Sequence, residues 1–403
     1  EPEESVKFEL SARIPYPQHP SSIALNGTIK LLEDTRPLSQ HEHLPKFSAM
    51  DLQGRIDIAQ FHLGHMIQFL RAQPVASPLQ TTGNFQGTFS YRLQKDHDLL
   101  DFKNFLVSLE EWTFGGRGTV TDLFHKSPSL QVSATTTPIA LQRIPDLVPH
   151  EWLPASFLTF LMEHKVTGTV ELLNGRFAGP LDGTGSWDAT GEMTLQEGQI
   201  LPASGQPLIN GLSATVKFTP SVIQVFQARG AIPPLTMTSP ETTIGLEKAL
   251  TISMPAFQIS EKEWSLKGSA HFFKSANGLP TLTVSGSALP ISITRLSTIL
   301  PDSWRPHSVE TTINEREISG ELELLTGSVQ WIGDDTNTLK ADGVLRITNG
   351  QVLVDSNHPQ LTQLSGAIVF DANIIRMLNW KGKIDHSQIV VKEATLEPGE
   401  SGI

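Results

Sequence analysis

Three short clusters hold the residue types that ligate metals: His41-Glu42-His43, His62 with His65, and Asp96-His97-Asp98. A zinc site needs three or four N, O or S donors, and a helical His-Glu-x-x-His places two of them on one face. That pattern is absent, and no cluster has a second one at ligand spacing. Each reads as solvated loop or helix surface. Nucleophilic chemistry fares no better. Gly183-Thr-Gly-Ser-Trp187 misses the Gly-x-Ser-x-Gly elbow by its spacing. Gly116-Arg-Gly118 lacks the third glycine and the following helix of a dinucleotide loop. Both read as turns. Asp334-Asp335 reads as a hairpin tip, and Asn26-Gly-Thr28 as a strand turn that happens to fit the glycosylation triplet. Carboxylate pairs for glycoside cleavage are assembled only by folding, so the sequence leaves that chemistry open.

The elements around these residues carry a stronger signal. Residues 116–154 and 191–232 reappear without a gap 152 positions later. Gly116, Pro128, Pro138 and Arg143 return as Gly268, Pro280, Pro290 and Arg295; Gly191, Gly198, Phe218 and Gly230 return as Gly343, Gly350, Phe370 and Gly382. Trp112 and Trp152 return as Trp264 and Trp304 and read as packed plugs at unit junctions. What is kept is Gly, Pro, Trp and alternating apolar positions, which is fold information. The chain is thus expected to be a tandem array, with 1–107 a divergent repeat, 108–259 a first repeat and 260–403 a second. Leu52–Ile58 resembles Leu212–Phe218 at an offset of 160, which an earlier copy would reach only through insertions or deletions. Stacked units expose long surfaces and more often bind or span than catalyse.

Composition narrows the partners. Charged residues are 18% of the 403, below the ~25% usual for soluble domains. A net charge of −12 argues against nucleic acid and against electrostatic docking on anionic lipid. Cysteine is absent, which excludes disulfides and thiolate chemistry. No run of 18 apolar residues is long enough to span a bilayer. The opening Glu1-Pro-Glu-Glu suggests a segment of something longer.

The dominant period is two. In Leu212–Phe218, Ala214, Val216 and Phe218 share a face. Asn26-Gly27, Asn174-Gly175, Asn210-Gly211, Asn277-Gly278 and Asn349-Gly350 look like hairpin turns between such segments. This predicts antiparallel strands with one apolar face. Helical spacing appears over Phe61–Ala72, Ile139–Leu147, Ile291–Leu300 and Leu153–His164, whereas His307–Arg316 is polar and reads as strand or loop.

The chain combines a Pro-x-x-Trp-x-Pro element (Pro149 to Pro154, Pro301 to Pro306) with a Gly…Gly-Gln-Ile/Val segment (Gly191 to Ile200, Gly343 to Val352). A Leu-Ser-Ala/Gly strand start then leads to Phe218 and Phe370. This pattern resembles the AsmA-like family of diderm bacterial envelope proteins, in particular its YhdP-like members with DUF3971 and AsmA-like C-terminal regions. The resemblance spans roughly Leu52 to Leu396. It implies a mainly β fold, an elongated antiparallel sheet curled into a groove with an apolar floor. It also implies an inner-membrane anchor that this chain lacks, a periplasmic body, a partner at the outer membrane, and phospholipid movement without a cofactor, metal or catalytic residue.

Burying an acyl chain is worth ~0.8 kcal/mol per CH₂, so a chain of about 16 carbons needs a continuous apolar surface. The expected floor is Met193, Leu195, Ile200, Val216, Phe218, Ile223 and Val225, with Leu345, Ile347, Val352, Ile368, Phe370, Ile375 and Met377 at the repeat positions. The competing reading packs these residues as an ordinary sandwich core. Two rival functions remain: an adhesive or structural β-array binding protein or glycan, and a carbohydrate-active enzyme on a β scaffold.

Overall fold

A computed structural model describes residues 5–14, 21–33, 47–62, 82–94, 97–110, 112–123, 127–147, 155–181, 186–202, 206–247, 249–275, 278–301, 307–333, 339–354, 359–371 and 374–396. The fold is mainly β. Its 21 strands belong to one hydrogen-bonded sheet, and the strand pairs described below are all antiparallel. The chain divides into two compact units, 1–195 with 217–220, and 196–216 with 221–403. Among the described residues, no helix is long and apolar enough to cross a membrane.

The first unit begins with β1 (Ser5–Ile14), β2 (Ser21–Glu33), β3 (Phe47–His62), β4 (Thr82–Gln94), β5 (Asp98–Leu109), β6 (Trp112–Thr121) and β7 (Ser129–Thr136). A short β8 (Ile139–Ala140) leads through a 3-10 turn to helix α1 (Ile144–Leu147), then α2 (Ala155–Glu163), β9 (Thr167–Pro180) and β10 (Asp188–Ile200), whose last five residues belong to the second unit. Consecutive strands pair as hairpins from β1 to β7, and β7 then pairs with β9.

The register sorts this unit into two faces, because directly opposed residues in antiparallel strands project to the same side. One row holds Val6, Ile29, Leu52, Tyr91, Leu100, Val120, Leu130 and Gly179. The next two holds along the strands are equally apolar: Phe8, Gly27, Gly54, Phe89, Phe102, Gly118, Val132 and Phe177, then Leu10, Leu25, Ile56, Gly87, Phe105, Gly116, Ala134 and Gly175. The opposite face carries Lys7, Thr28, Gln53, Ser90, Asp101, Thr119, Gln131 and Ala178 in one row.

The second unit holds β11 (Ile209–Phe218), β12 (Val222–Ile232), β13 (Leu235–Gly245), β14 (Ala249–Glu261), β15 (Trp264–Ser275) and β16 (Thr281–Ser292). Helices α3 (Ile293–Ile299) and α4 (His307–Glu315) follow, then β17 (Ser319–Ile332), β18 (Lys340–Val352), β19 (Leu361–Phe370), β20 (Ile375–Ile384) and β21 (Ser387–Leu396). In α3, Ile293 and Ile299 are buried, at 9% and 3% exposure. Leu296 and Ile299, three residues apart, share one side of the helix.

The spacing of 152 relates element bounds as well as residue identities. β17 begins and ends 152 residues after β9, as do β18 after β10, β19 after β11, and α4 after α2. Backbone at positive φ follows suit: Glu110 and Lys262, Lys165 and Glu317, Glu197 and Asn349, Gln227 and Asn379, Gly168 and Gly320. Asn349 and Gly320 sit where the ladder register shifts, so these are bulges, which bend and twist the strands that carry them.

Several local readings change. Asn26-Gly27 lies mid-strand in β2, Asn174-Gly175 inside β9, Asn210-Gly211 at the start of β11 and Asn349-Gly350 inside β18. None of these is a hairpin turn. Gly116 and Gly118 likewise sit within β6. Gly27 is needed for close approach: a Cβ there would stand 2.1 Å from the Gln53 carbonyl oxygen. His307–Glu315 is a helix despite its polarity, with Glu310 in its first turn, where a carboxylate complements the helix N-terminus. The helical reading of Phe61–Ala72 fails at Phe61 and His62, which end β3; the rest lies outside the described residues.

Candidate functional site

The widest apolar feature of the second unit is one row of side chains. Gly230 pairs with Met237, Met237 with Ile259, Ile259 with Leu266, and Leu266 with Ala288. The row continues through Leu324, Leu345, Ile368 and Met377 to Ala394. It crosses ten strands, β12 to β21, without a polar residue. At ~4.8 Å per strand the row runs for on the order of 40 Å along the sheet.

A second row on the same face runs Phe257, Gly268, Gly286, Gly327, Gly343, Phe370, Ile375 and Leu396. Four successive strands thus present glycine between two phenylalanines. A Cβ at Gly268 would meet the Phe257 Cζ at 2.8 Å, so the ring reaches over its glycine neighbour. Further along the strands, Ile223, Ile244, Ile252, Phe272, Leu282 and Trp331 form another apolar row. The reverse face is polar: Gln224, Thr243, Ser253, His271, Thr283, Gln330 and Lys340 occupy one of its rows.

The register brings the expected floor of the second copy together. Leu345, Ile368 and Met377 share one row, Phe370 and Ile375 the next, and Ile347 lies two residues from Leu345 on the same face. Val352 pairs with Leu361, which pairs with Ile384. In the first copy, Ile223 heads the row just described and Val225 pairs with Thr242. Met193, Leu195, Ile200, Val216 and Phe218 are each half-buried on β10 and β11. The other nine are half-buried too, and none belongs to the buried core.

Two clusters of buried side chains lie at strand ends, while Phe89, Tyr91, Val120 and Ala134 are buried within the apolar face of the first unit. In the second unit Leu235, Trp264, Ile291 and Ile299 form a cluster, with Leu296, Ile259, Leu266 and Ala288 packed against it. Three successive members of the ten-strand row, Ile259, Leu266 and Ala288, therefore pack against this cluster. Arg295 of α3 is ion-paired with Glu261, whose side chain is only 7% exposed. In the first unit Phe61 and Leu109 are buried, and Trp112, Ile139, Val107, Phe85 and Ile58 surround them. The reading of Trp112 and Trp264 as packed plugs fits these positions, and the indole N–H of each is buried without a hydrogen-bond partner. Trp152 and Trp304 lie outside the described residues.

The apolar face of β1 to β7 escaped sequence reading as a site. Phe85, Phe89, Phe102, Phe105, Phe114 and Trp112 form a chain of ring contacts there, with centroids 5.5 to 6.3 Å apart. The alternation in Phe85-Gln-Gly-Thr-Phe-Ser-Tyr91 was a visible signal for it. Burial, and then Asp98, raise the Tyr91 hydroxyl above its ordinary pKa.

The metal-type clusters resolve only in part. His41 to His43, His65 and Asp96 lie outside the described residues, as do Gly183 and Asp334-Asp335. His97 Nδ1 is 3.1 Å from Asp122 Oδ1. Asp98 is buried and accepts a hydrogen bond from the Leu123 amide at 2.7 Å, an anchoring role for the β6–β7 connection. Among the described residues no three His, Asp or Glu side chains converge as a metal site would require.

No protein-family model matches this chain, and no curated protein or solved structure is significantly similar to it.

Proposed function

We propose that this chain is a non-enzymatic segment of a periplasmic envelope protein, anchored in the inner membrane, and that its apolar sheet face holds or conducts phospholipid acyl chains toward the outer membrane. The observation that carries this reading is the ten-strand row from Gly230 to Ala394. Its members are apolar, in register, and half-buried or better without a second sheet among the described residues packed over them. A sandwich would bury such a row as completely as Leu235 or Ile299, at 3% exposure. The resemblance to AsmA-like proteins supplies the location and the direction of interest.

The physics supports an acyl ligand over a polar one. An acyl chain of about 16 carbons recovers ~10 kcal/mol or more when removed from water. It asks for area and continuity, not for a single polar anchor, and the glycine strip offers a smooth path between the Phe257 and Phe370 rings. Polar headgroups would stay in water.

Mass spectrometry of organic extracts from detergent-free protein tests the reading. Phospholipid is expected with the parent chain and should be depleted from a folded Val216→Asp/Ile368→Asp variant. Absence of lipid from the folded parent, with no uptake of labelled phospholipid, would shift the function to an adhesive or structural array.

A further inference from the structure

The polar face of β5 to β9 carries a group of cations that acyl-chain binding does not use. Arg117 in β6 pairs with Ser133 in β7, and Ser133 pairs with Arg176 in β9. Two arginines therefore stand on one face with a serine between them, about 10 Å apart at the backbone. Lys103 joins from β5, within the bulge between Phe102 and Phe105 that faces Arg117. Gly115 has no side chain, and a shallow hollow of ≈ 370 Å³ opens beside it, lined by Lys103, Arg117, Ser133, Thr135 and Asn174. No Asp or Glu lines it. Among the described residues, Lys103, Arg117 and Arg176 make no ion pair or hydrogen bond through their charged ends.

Packing does not call for these cations. At the positions 152 residues later the row reads Ser269, Ser285 and Ser328, with Asp342 beside them on β18. The serine is kept and both arginines are replaced by hydroxyls. There Ser269 Oγ and Ser285 Oγ are 2.9 Å apart, and Ser328 donates to Asp342 at 2.6 Å. The same strand geometry thus stands without charge, so the fold itself does not require the exposed basic trio.

The donor set defines the ligand chemistry. The Arg117 guanidinium and the Lys103 ammonium in the lining, backed by Ser133, Thr135 and Asn174 and with Arg176 next to Ser133 on the neighbouring strand, match an anion with several oxygens around one centre. A sugar would ask for as many acceptors as donors, and a lone carboxylate offers two oxygens. A flat anionic bilayer would meet Glu9, Asp57 and Asp101 on the same face. We propose that this hollow binds a phosphate group, carried by a soluble phosphate ester or diphosphate. The site is independent of the acyl-chain reading and lies on the polar face of the first unit.

Calorimetric titration of pyrophosphate into the whole chain at low ionic strength tests it. Saturable one-to-one binding is expected, weakened roughly tenfold or more in Arg117→Ser/Arg176→Ser, which installs the residues found 152 positions later. Ser269→Ala/Ser328→Ala should bind like the parent. Vesicles of phosphatidylglycerol serve as the second arm. No saturable binding, equal binding by the folded arginine variant, an equal loss in the serine variant, or capture by vesicles alone would each overturn the proposal.

Discussion

The ring of Phe370 lies over Gly343, its register partner on the neighbouring strand: a Cβ at position 343 would stand 2.8 Å from the ring's Cζ. Phe218 and Gly191, 152 residues earlier, stand in the same relationship at the same 2.8 Å. A Cβ at Gly343 would also meet the Thr326 carbonyl oxygen at 2.7 Å. Gly343→Ala should therefore cost about 1–3 kcal/mol, by overpacking on a surface with little give. Phe370→Leu in the same chain should restore only part of the loss, because the backbone contact remains. A urea-denaturation double-mutant cycle reads both numbers.

Polar substitution should separate face from core. Ile368 is half-buried in the ten-strand row, and Ile368→Asp should lower stability by only ~1–2 kcal/mol. Ile299→Asp, at a position 3% exposed in the cluster under α3, should cost ~4 kcal/mol or more. Chemical denaturation of the two variants checks this directly. Equal and severe losses would identify Ile368 as closed core.

Two ion pairs occupy comparable places and should differ in worth. Arg143 and Glu110 meet at 2.6 Å with side chains 50% and 55% exposed, so Arg143→Ala should cost under ~1 kcal/mol. Arg295→Ala would strip the partner from Glu261, which is 7% exposed and whose other cation among the described residues is Lys262 at 3.8 Å. A loss of ~3 kcal/mol is expected, with earlier melting of the α3 contact. Thermal melts of the two variants supply the comparison.

Trp264 packs as an apolar plug, with its indole N–H unpartnered. Trp264→Phe removes that desolvated donor and should change stability by less than ~1.5 kcal/mol, whereas Trp264→Ala should cost ~3–5 kcal/mol. The pair is measured by equilibrium unfolding.

Much of this fold was legible because a sheet with one apolar face writes a period of two into its strands. Ala214, Val216 and Phe218 announced β11, and helical spacing announced α3. The Asn-Gly pairs misled. The same residues that suit a tight turn also suit a bulge at positive φ, as at Asn349, or a close backbone crossing, as at Gly27 opposite Gly54. The α4 helix was hidden by its polarity. The candidate face was legible residue by residue but not in extent. Continuity across ten strands depends on register, which bulges shift by single residues, and alternation within one strand cannot show where its neighbour's residues fall.

The most direct test of the central claim is site-specific photocrosslinking. A photoreactive phenylalanine analogue is placed at Ile368 on the apolar face and, separately, at Arg346 on the polar face, in protein exposed to labelled phospholipid. Arg346 pairs with Glu323 at 3.0 Å and with Ala367 in register, one residue from Ile368 but on the other side of the sheet. Label attached at position 368 and not at 346 is the predicted result. Folded protein that takes no label at 368, or takes equal label at both positions, would contradict an acyl-chain path along this face.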